Sequence, residues 1–368
     1  MNKICLFNTY VDASAGKKVQ RVLDSTFLSE GKLVKDFESQ LSKQLGLQNP
    51  AAVNSGTSAL HLAVILSGVR PEDEVICPAQ TFVASAMVVL QERAKPVFAD
   101  IQYETGNIEP KSIEKKITKR TKAIMVVHWG GYPVDLDEIH TIAKKYNIAV
   151  IEDAAHALGA TYHGQVIGGI SDFTCFSFQA IKHLTTGDGG AVCVKNSELH
   201  REALNGRWFG IDRKHSPPSL LGERVYNLQK IGYKYHMNDY AAALGLANLE
   251  GFKKRLDRRK VIAKRYRSAL KSVDGINLFH ETEDRQSAYW LFGFHVKKRE
   301  EFIKLLKSHD IECSVVHLGI DHNDVFGGIQ EDLANQRKFD QTQIHIPIHD
   351  ALTDEQVDYI ITTIKKGW

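Results

Sequence analysis

Over the first two thirds of the chain, short apolar runs alternate with longer segments whose apolar positions recur at helical spacing. Strand-like runs fall at Ala51–Val53, Glu74–Pro78, Lys95–Ile101, Ala123–His128, Ala149–Asp153, Phe173–Phe178 and Gly190–Lys195. Between several of them, Thr57–Gly68, Phe82–Arg93 and Leu136–Tyr146 read as helices. Seven apolar strands spaced by helices predict an α/β fold, with a mostly parallel seven-stranded sheet flanked by helices on both faces. In such a sheet, ligands are expected at the carboxyl ends of the strands.

The pattern changes after residue 210. Gly210–Lys230 carries Ser216-Pro217-Pro218-Ser219 and mixed charge, and reads as a long loop of the kind that is often functional. A helical stretch from Asn238 to about Val273 follows, with Gly251 as a bend. The remainder has a strand candidate at Tyr289–Val296, a helix at Arg299–Ser308 and a last helix opening on Thr353-Asp354-Glu355-Gln356, a capping-box sequence. The expectation is a large domain over residues 1–250, with an N-terminal arm, and a smaller α+β domain over 251–368. The length of 368 residues also favours two domains.

Composition narrows the function classes. A hydrophobic fraction of 43% and a charged fraction of 25% are those of an ordinary soluble globular chain. With 47 basic against 44 acidic residues, the charge is too balanced for a nucleic-acid binder. The cluster Lys253-Lys254-Arg255 and Arg258-Arg259-Lys260 is expected to be a solvated helix face. Cys5, Cys77, Cys175, Cys193 and Cys313 are odd in number, widely spaced and without a CxxC pair, so reduced thiols are expected, with neither a disulfide frame nor a metal site. No apolar run is long enough to span a membrane. Met1-Asn2-Lys3-Ile4-Cys5 lacks the features of a signal peptide, so the expected location is cytoplasmic.

The strongest chemical signal is Ser177-Phe178-Gln179-Ala180-Ile181-Lys182-His183-Leu184-Thr185-Thr186-Gly187-Asp188-Gly189-Gly190. It places a lysine on the turn leaving a strand, where a ligand would lie. A lysine kept partly neutral by its surroundings can form a Schiff base with an aldehyde cofactor. A lone lysine in a glycine-rich turn is ordinarily a surface residue, and its company is what changes the reading. Asp153, in Ala149-Val150-Ile151-Glu152-Asp153-Ala154-Ala155-His156, ends a buried strand. It suits either a helix N-cap or a carboxylate that holds a proton on a pyridine nitrogen. Asn54-Ser55-Gly56-Thr57-Ser58 opens a helix whose free N–H groups would favour a phosphate, although it is not a P-loop. Phe82 is either core or a ring that stacks on a flat heterocycle.

Taken together in this order, these motifs resemble the DegT/DnrJ/EryC1/StrS sugar aminotransferases, which belong to the fold-type-I enzymes dependent on pyridoxal 5′-phosphate (PLP). The resemblance runs from Gly31-Lys32-Leu33-Val34-Lys35-Asp36-Phe37-Glu38 to Leu352-Thr353-Asp354-Glu355-Gln356-Val357. It implies that Lys182 is the catalytic lysine that links to PLP. Asp153 would face the pyridine nitrogen, His156 the ring hydroxyl and Phe82 the ring face, while Gly56, Thr57 and Ser177 would hold the phosphate. It also implies a homodimer with shared active sites. The family loop Gly-Tyr-Asn-Tyr-Arg-Met reads Gly232-Tyr233-Lys234-Tyr235-His236-Met237 here. Lys234 could still serve a partner's phosphate as a point charge. His236 replaces an arginine, which leaves the substrate contacts of that position open.

The implied reaction is transfer of an amino group, from L-glutamate, to a ketosugar nucleotide of the NDP-4-keto-6-deoxysugar kind. A sugar dehydratase of the same family would carry histidine at the lysine position; the residue there is Lys182, with His183 a neighbour of no chemical role. A non-nucleotide keto acceptor such as a cyclitol is the other alternative. A nicotinamide oxidoreductase would want GxGxxG after the first strand, and none is found. A non-enzymatic regulator would have no reason to keep both Lys182 and Asp153. His317 is read as either a substrate contact or a structural residue, and Trp129 as core packing.

Overall fold

The computed structural model describes residues 3–213 and 215–368; Met1, Asn2 and Lys214, the last within the expected loop, lie outside the described residues. All seven apolar runs are strands of one sheet: β1 (Pro50–Val53), β2 (Glu74–Pro78), β3 (Lys95–Ala99), β4 (Thr121–Val127), β5 (Ala149–Asp153), β6 (Phe173–Ser177) and β7 (Gly190–Val194). Their order is β1-β7-β6-β5-β4-β2-β3. The pairs from β3 through β6 are parallel, whereas β7 runs antiparallel to both β6 and β1.

Side-chain alternation explains why both faces of these strands are apolar. On one face Ile124, Val126, Val150, Phe176 and Ala191 pack with Phe37 and Leu41 of helix Lys32–Leu45 and with Ile139 and Ile142 of helix Leu136–Tyr146. On the other, Val75, Met125, Ile151, Cys175 and Val192 pack with helices Gly56–Leu66 and Ala84–Gln91.

Beyond the large sheet, residues 207–213 and 215–237 form the expected irregular segment. The long helical stretch is two helices, Asp239–Leu249 and Phe252–Leu270, broken where Gly251 adopts φ 70°. A three-stranded antiparallel sheet follows, with Phe292–Val296 between Ile276–Leu278 and Gln343–Ile346. The strand expected from Tyr289 starts only at Phe292, because Tyr289 sits in the left-handed region at φ 50°. Helix Arg299–Ser308 has the bounds read from sequence, and Thr353 and Gln356 form the reciprocal capping box. Ile4 of the N-terminal arm bridges to Ile311 and is buried in the C-terminal core.

The basic stretch is the expected solvated face only in part: Lys253 and Lys254 are exposed, whereas its arginines turn inward. Arg259 is buried and donates to the Ile348 carbonyl, Arg255 stacks on Tyr10, and Arg258 binds the Leu352 carbonyl. These guanidiniums tie the helix to the rest of the fold. The five cysteines are free thiols, and no described helix is long and apolar enough to cross a membrane.

Candidate active site

A cleft of about 490 Å³ opens at the carboxyl ends of the parallel strands. Gly56, Thr57, Phe82, Asp153, His156, Ser177 and Lys182 all line it. Sequence positions spread over more than 120 residues converge because β1, β2, β5 and β6 end on the same side of the sheet.

Asp153 is the last residue of β5 and is buried. No helix follows it, so it is not a cap. Its Oδ2 accepts from Ser85 Oγ at 2.7 Å, and its Oδ1 accepts from the Ala155 amide at 3.1 Å. Burial pushes the carboxyl above its ordinary range, opposed by these bonds and by Lys182. Ser85 is held in turn by Thr81 Oγ1 at 2.7 Å.

Lys182 sits on the turn after β6. Burial disfavours its charged form and lowers the ammonium pKa from 10.5 to about 7, while the Asp153 carboxylate pulls the other way. Its Nζ lies 3.7 Å from the centroid of the Trp290 ring. Trp290 comes from the C-terminal part of the chain and donates its indole N–H to the Ile181 carbonyl at 3.0 Å. His156 stacks on the same indole at 3.8 Å, and Phe7 of the N-terminal arm stacks at 5.2 Å. These aromatics wall one side of the cleft. His156 is buried and held well below the usual histidine range by that burial and by Lys182, so it is neutral.

The end of the cleft at the N-terminus of helix Gly56–Leu66 is built from close backbone packing. Ser55 caps the helix Gly56–Leu66 through the Ser58 amide, leaving the amides of Gly56 and Thr57 without an intrahelical partner. Gly190 pairs with both Ser177 and Val53, bringing β6 and β1 together at this end. A Cβ at Gly56 would lie 2.8 Å from Ser177 Cβ, and one at Gly190 would lie 2.6 Å from the Ser55 backbone.

Phe82 exposes about half its ring to the cleft, tilted against His317 at 5.4 Å. His317 therefore lines the cleft. Trp129 is buried, edge-on to His156, and His183 is buried with one ring nitrogen on the Ala288 carbonyl; neither lines the cleft. Lys234 is not part of this chain's own cleft. Its Nζ rests over the Trp208 ring at 3.9 Å. His236 is also buried beside Trp208.

Sequence reasoning missed Ser85 and Trp290. Ser85 follows Thr81-Phe82 by one helical turn, a spacing that offered some signal. Trp290 offered none, because only the return of the C-terminal part over the sheet brings it near Lys182.

This arrangement fits PLP: an amine for the aldehyde, a buried carboxylate for the ring nitrogen, and a helix N-terminus with a serine for the phosphate. Fold and site together define a PLP-dependent aminotransferase. The chain belongs to the DegT/DnrJ/EryC1/StrS aminotransferase family, whose model matches residues 10–365. It is 33% identical to GDP-perosamine synthase of Escherichia coli O157:H7 over 364 residues, covering 97% of each chain. AtS13 from Actinomadura melliaura superposes with a TM-score of 0.95 at 33% identity, covering 100% of both chains. Spr1654 of Streptococcus pneumoniae in its PLP form gives 0.90 at 31% identity, covering 99% of this chain and 98% of that one.

Proposed function

We propose that the protein transfers an amino group from L-glutamate to the keto carbon of a nucleotide-linked 4-keto-6-deoxysugar, with Lys182 as its catalytic residue. The observation that carries this reading is the meeting in one cleft of a partly neutral Lys182 and a buried, hydrogen-bonded Asp153. The similarity to a GDP-perosamine synthase supports a nucleotide sugar as acceptor.

When bound, PLP supplies a ring that takes up the electron pair left when the carbon beside the transferred nitrogen loses its proton. Asp153 would keep a proton on the ring nitrogen. Gly56, Thr57 and Ser177 would bind the phosphate and so fix the ring's position, with Phe82 against one face and His156 at the rim. Near pH 7 the Lys182 amine is roughly half neutral. It can therefore act as nucleophile toward the aldehyde and, once released, as the base that takes the proton from the donor's Cα. In the second half of the cycle the same amine returns a proton to the sugar carbon that has gained nitrogen. One group serves both tasks because its pKa lies near the working pH.

In the same reading, residues 1–250 carry the cofactor and residues 251–368 cover it, the active unit is a homodimer in the cytoplasm, and Lys234 reaches the phosphate in the partner's cleft. The position of Lys234 on Trp208, away from its own cleft, supports that last role.

The experiment is a panel of 3-keto and 4-keto sugar nucleotides, with cyclitol ketones beside them, incubated with protein, PLP and glutamate and read by mass spectrometry. A mass change matching replacement of the keto oxygen by an amine is expected on a 4-keto-6-deoxysugar nucleotide. Amination of a cyclitol alone, or of no nucleotide sugar, overturns the substrate reading.

A further inference from the structure

Directly before Asp153 on β5 stands Glu152, a wholly buried carboxylate that the reaction above does not use. Successive strand residues face opposite sides of the sheet, so Glu152 points away from the cleft. Its Oε1 accepts from the Ser171 amide at 3.1 Å and from Thr174 Oγ1 at 3.0 Å. Its Oε2 lies 2.8 Å from Nε2 of His128, which is likewise wholly buried.

The proton on His128 follows from its other nitrogen. The Val134 amide points at Nδ1 from 3.2 Å, and an amide N–H only donates. Nδ1 is therefore an acceptor, Nε2 carries the single proton, and the ring is neutral. Both oxygens of Glu152 then receive donors, which is the pattern of an ionised carboxylate. A neutral histidine leaves its charge uncancelled. The other titratable groups packed nearby do not cancel it either. The Cys175 and Cys193 thiols are pushed upward by burial and stay neutral, His140 bonds the Ser171 hydroxyl at 2.7 Å rather than Glu152, and Lys182 lies across the sheet beside Asp153.

We propose that Glu152 is a second fixed negative charge behind Asp153, that the two together hold the bound cofactor in its protonated form, and that His128 is a positioning residue that keeps Glu152 ionised without neutralising it. His128 is placed for this by the sheet, since its own amide continues the β4–β5 ladder to the Asp153 carbonyl at 3.2 Å. The inference rests on PLP occupying the cleft at Asp153. It adds to that reading the requirement that the strand's far face be charged. Across roughly 10 Å of protein, one such charge moves the pKa of a cofactor proton by about one unit.

The test uses the full chain loaded with PLP. Glu152→Gln alone would set its new amide N–H against that of His128. The double variant His128→Gln/Glu152→Gln instead pairs amide with amide and removes the charge. His128→Gln alone keeps both the donor and the charge. After folding is checked by circular dichroism, the pH at which the visible cofactor band titrates should match wild type in His128→Gln. It should fall by about one unit in the double variant, because loss of a negative charge weakens proton binding. A folded double variant that titrates with wild type overturns the inference. A second measurement needs no variant: in the wild-type protein, the ¹³C signal of the Glu152 carboxyl should remain that of the ionised form down to about pH 5, below the histidine range. A protonated signal at neutral pH overturns the inference. A wild-type protein with no borohydride-sensitive band overturns the prior PLP reading instead, so the two failures are distinguishable.

Discussion

The Nζ of Lys182 lies 3.7 Å from the centre of the Trp290 ring, joining a turn of the large sheet to the C-terminal part of the chain. The aromatic face and the surrounding burial act on the amine in opposite directions. Cation–π attraction favours the ammonium, while loss of water favours the neutral form. Burial dominates, and the pKa falls to about 7.

That balance predicts a pH dependence of stability in the cofactor-free protein. The lysine pKa is lower folded than unfolded, so between about pH 7 and 10.5 the unfolded chain binds more protons and stability rises with pH. Below pH 7 folding carries the full cost of stripping water from the ammonium. Lys182→Met removes that cost. Its melting temperature should exceed wild type at pH 6–7, with the gap closing toward about pH 10.5. Thermal melts across the range check this, and a pH-independent difference would contradict it.

The proposed homodimer with shared active sites predicts complementation between two damaged subunits. Lys182→Ala should lower activity by at least about 10³-fold as a homodimer, since nucleophile and base are lost together. Lys234→Ala should weaken PLP binding. Mixed one to one and allowed to exchange, the two chains form hybrids with one intact cleft, and activity should recover to roughly a quarter of wild type. No recovery despite proven exchange would place Lys234 outside the partner's site.

Ser85 should matter although it does not line the cleft. Its hydroxyl donates to Asp153 Oδ2 at 2.7 Å inside the protein. Ser85→Ala leaves that oxygen short of a donor, at a cost of about 2 kcal/mol, or roughly 30-fold in PLP affinity or kcat. Ser85→Thr can keep the bond and should retain more of both. Cofactor titration by absorbance separates the two outcomes.

Gly56 and Ser177 should behave as a coupled pair. Gly56→Ala places a methyl 2.8 Å from Ser177 Cβ, so β1 and β6 must part at the proposed phosphate end. PLP affinity should drop by roughly 5- to 150-fold, as about 1–3 kcal/mol of overpacking implies. Ser177→Gly alone removes a hydroxyl and should weaken PLP less than Gly56→Ala does. Combined with Gly56→Ala it relieves the contact and should recover part of the affinity, so the double-mutant cycle is non-additive.

Much of the site could be read before any coordinates. Lys182, Asp153, Gly56 and Ser177 stand at strand ends, and a strand end in a parallel sheet has a known side. Phe82 was ambiguous between core and cleft, because a phenylalanine after a strand looks the same in either place; its half-exposed ring settles it. The expected solvated face at residues 253–260 held for Lys253 and Lys254 but failed at the arginines, for a related reason. Arginine charge says nothing about which carbonyls lie within reach, and Arg258 and Arg259 find those of Leu352 and Ile348 about 90 residues away.

The sequence by itself determined the seven strands, the helices between them and the lysine at the mouth of the sheet. These depend on local periodicity and on residues near one another in the chain. Only the tertiary structure decided that Trp290 and Phe7 wall the cleft, that Ser85 supports Asp153, and that Glu152 and His128 form a buried pair behind it. Each is a contact between distant segments, fixed by strand order and by which face of the sheet a side chain meets. No pattern along one dimension carries that information.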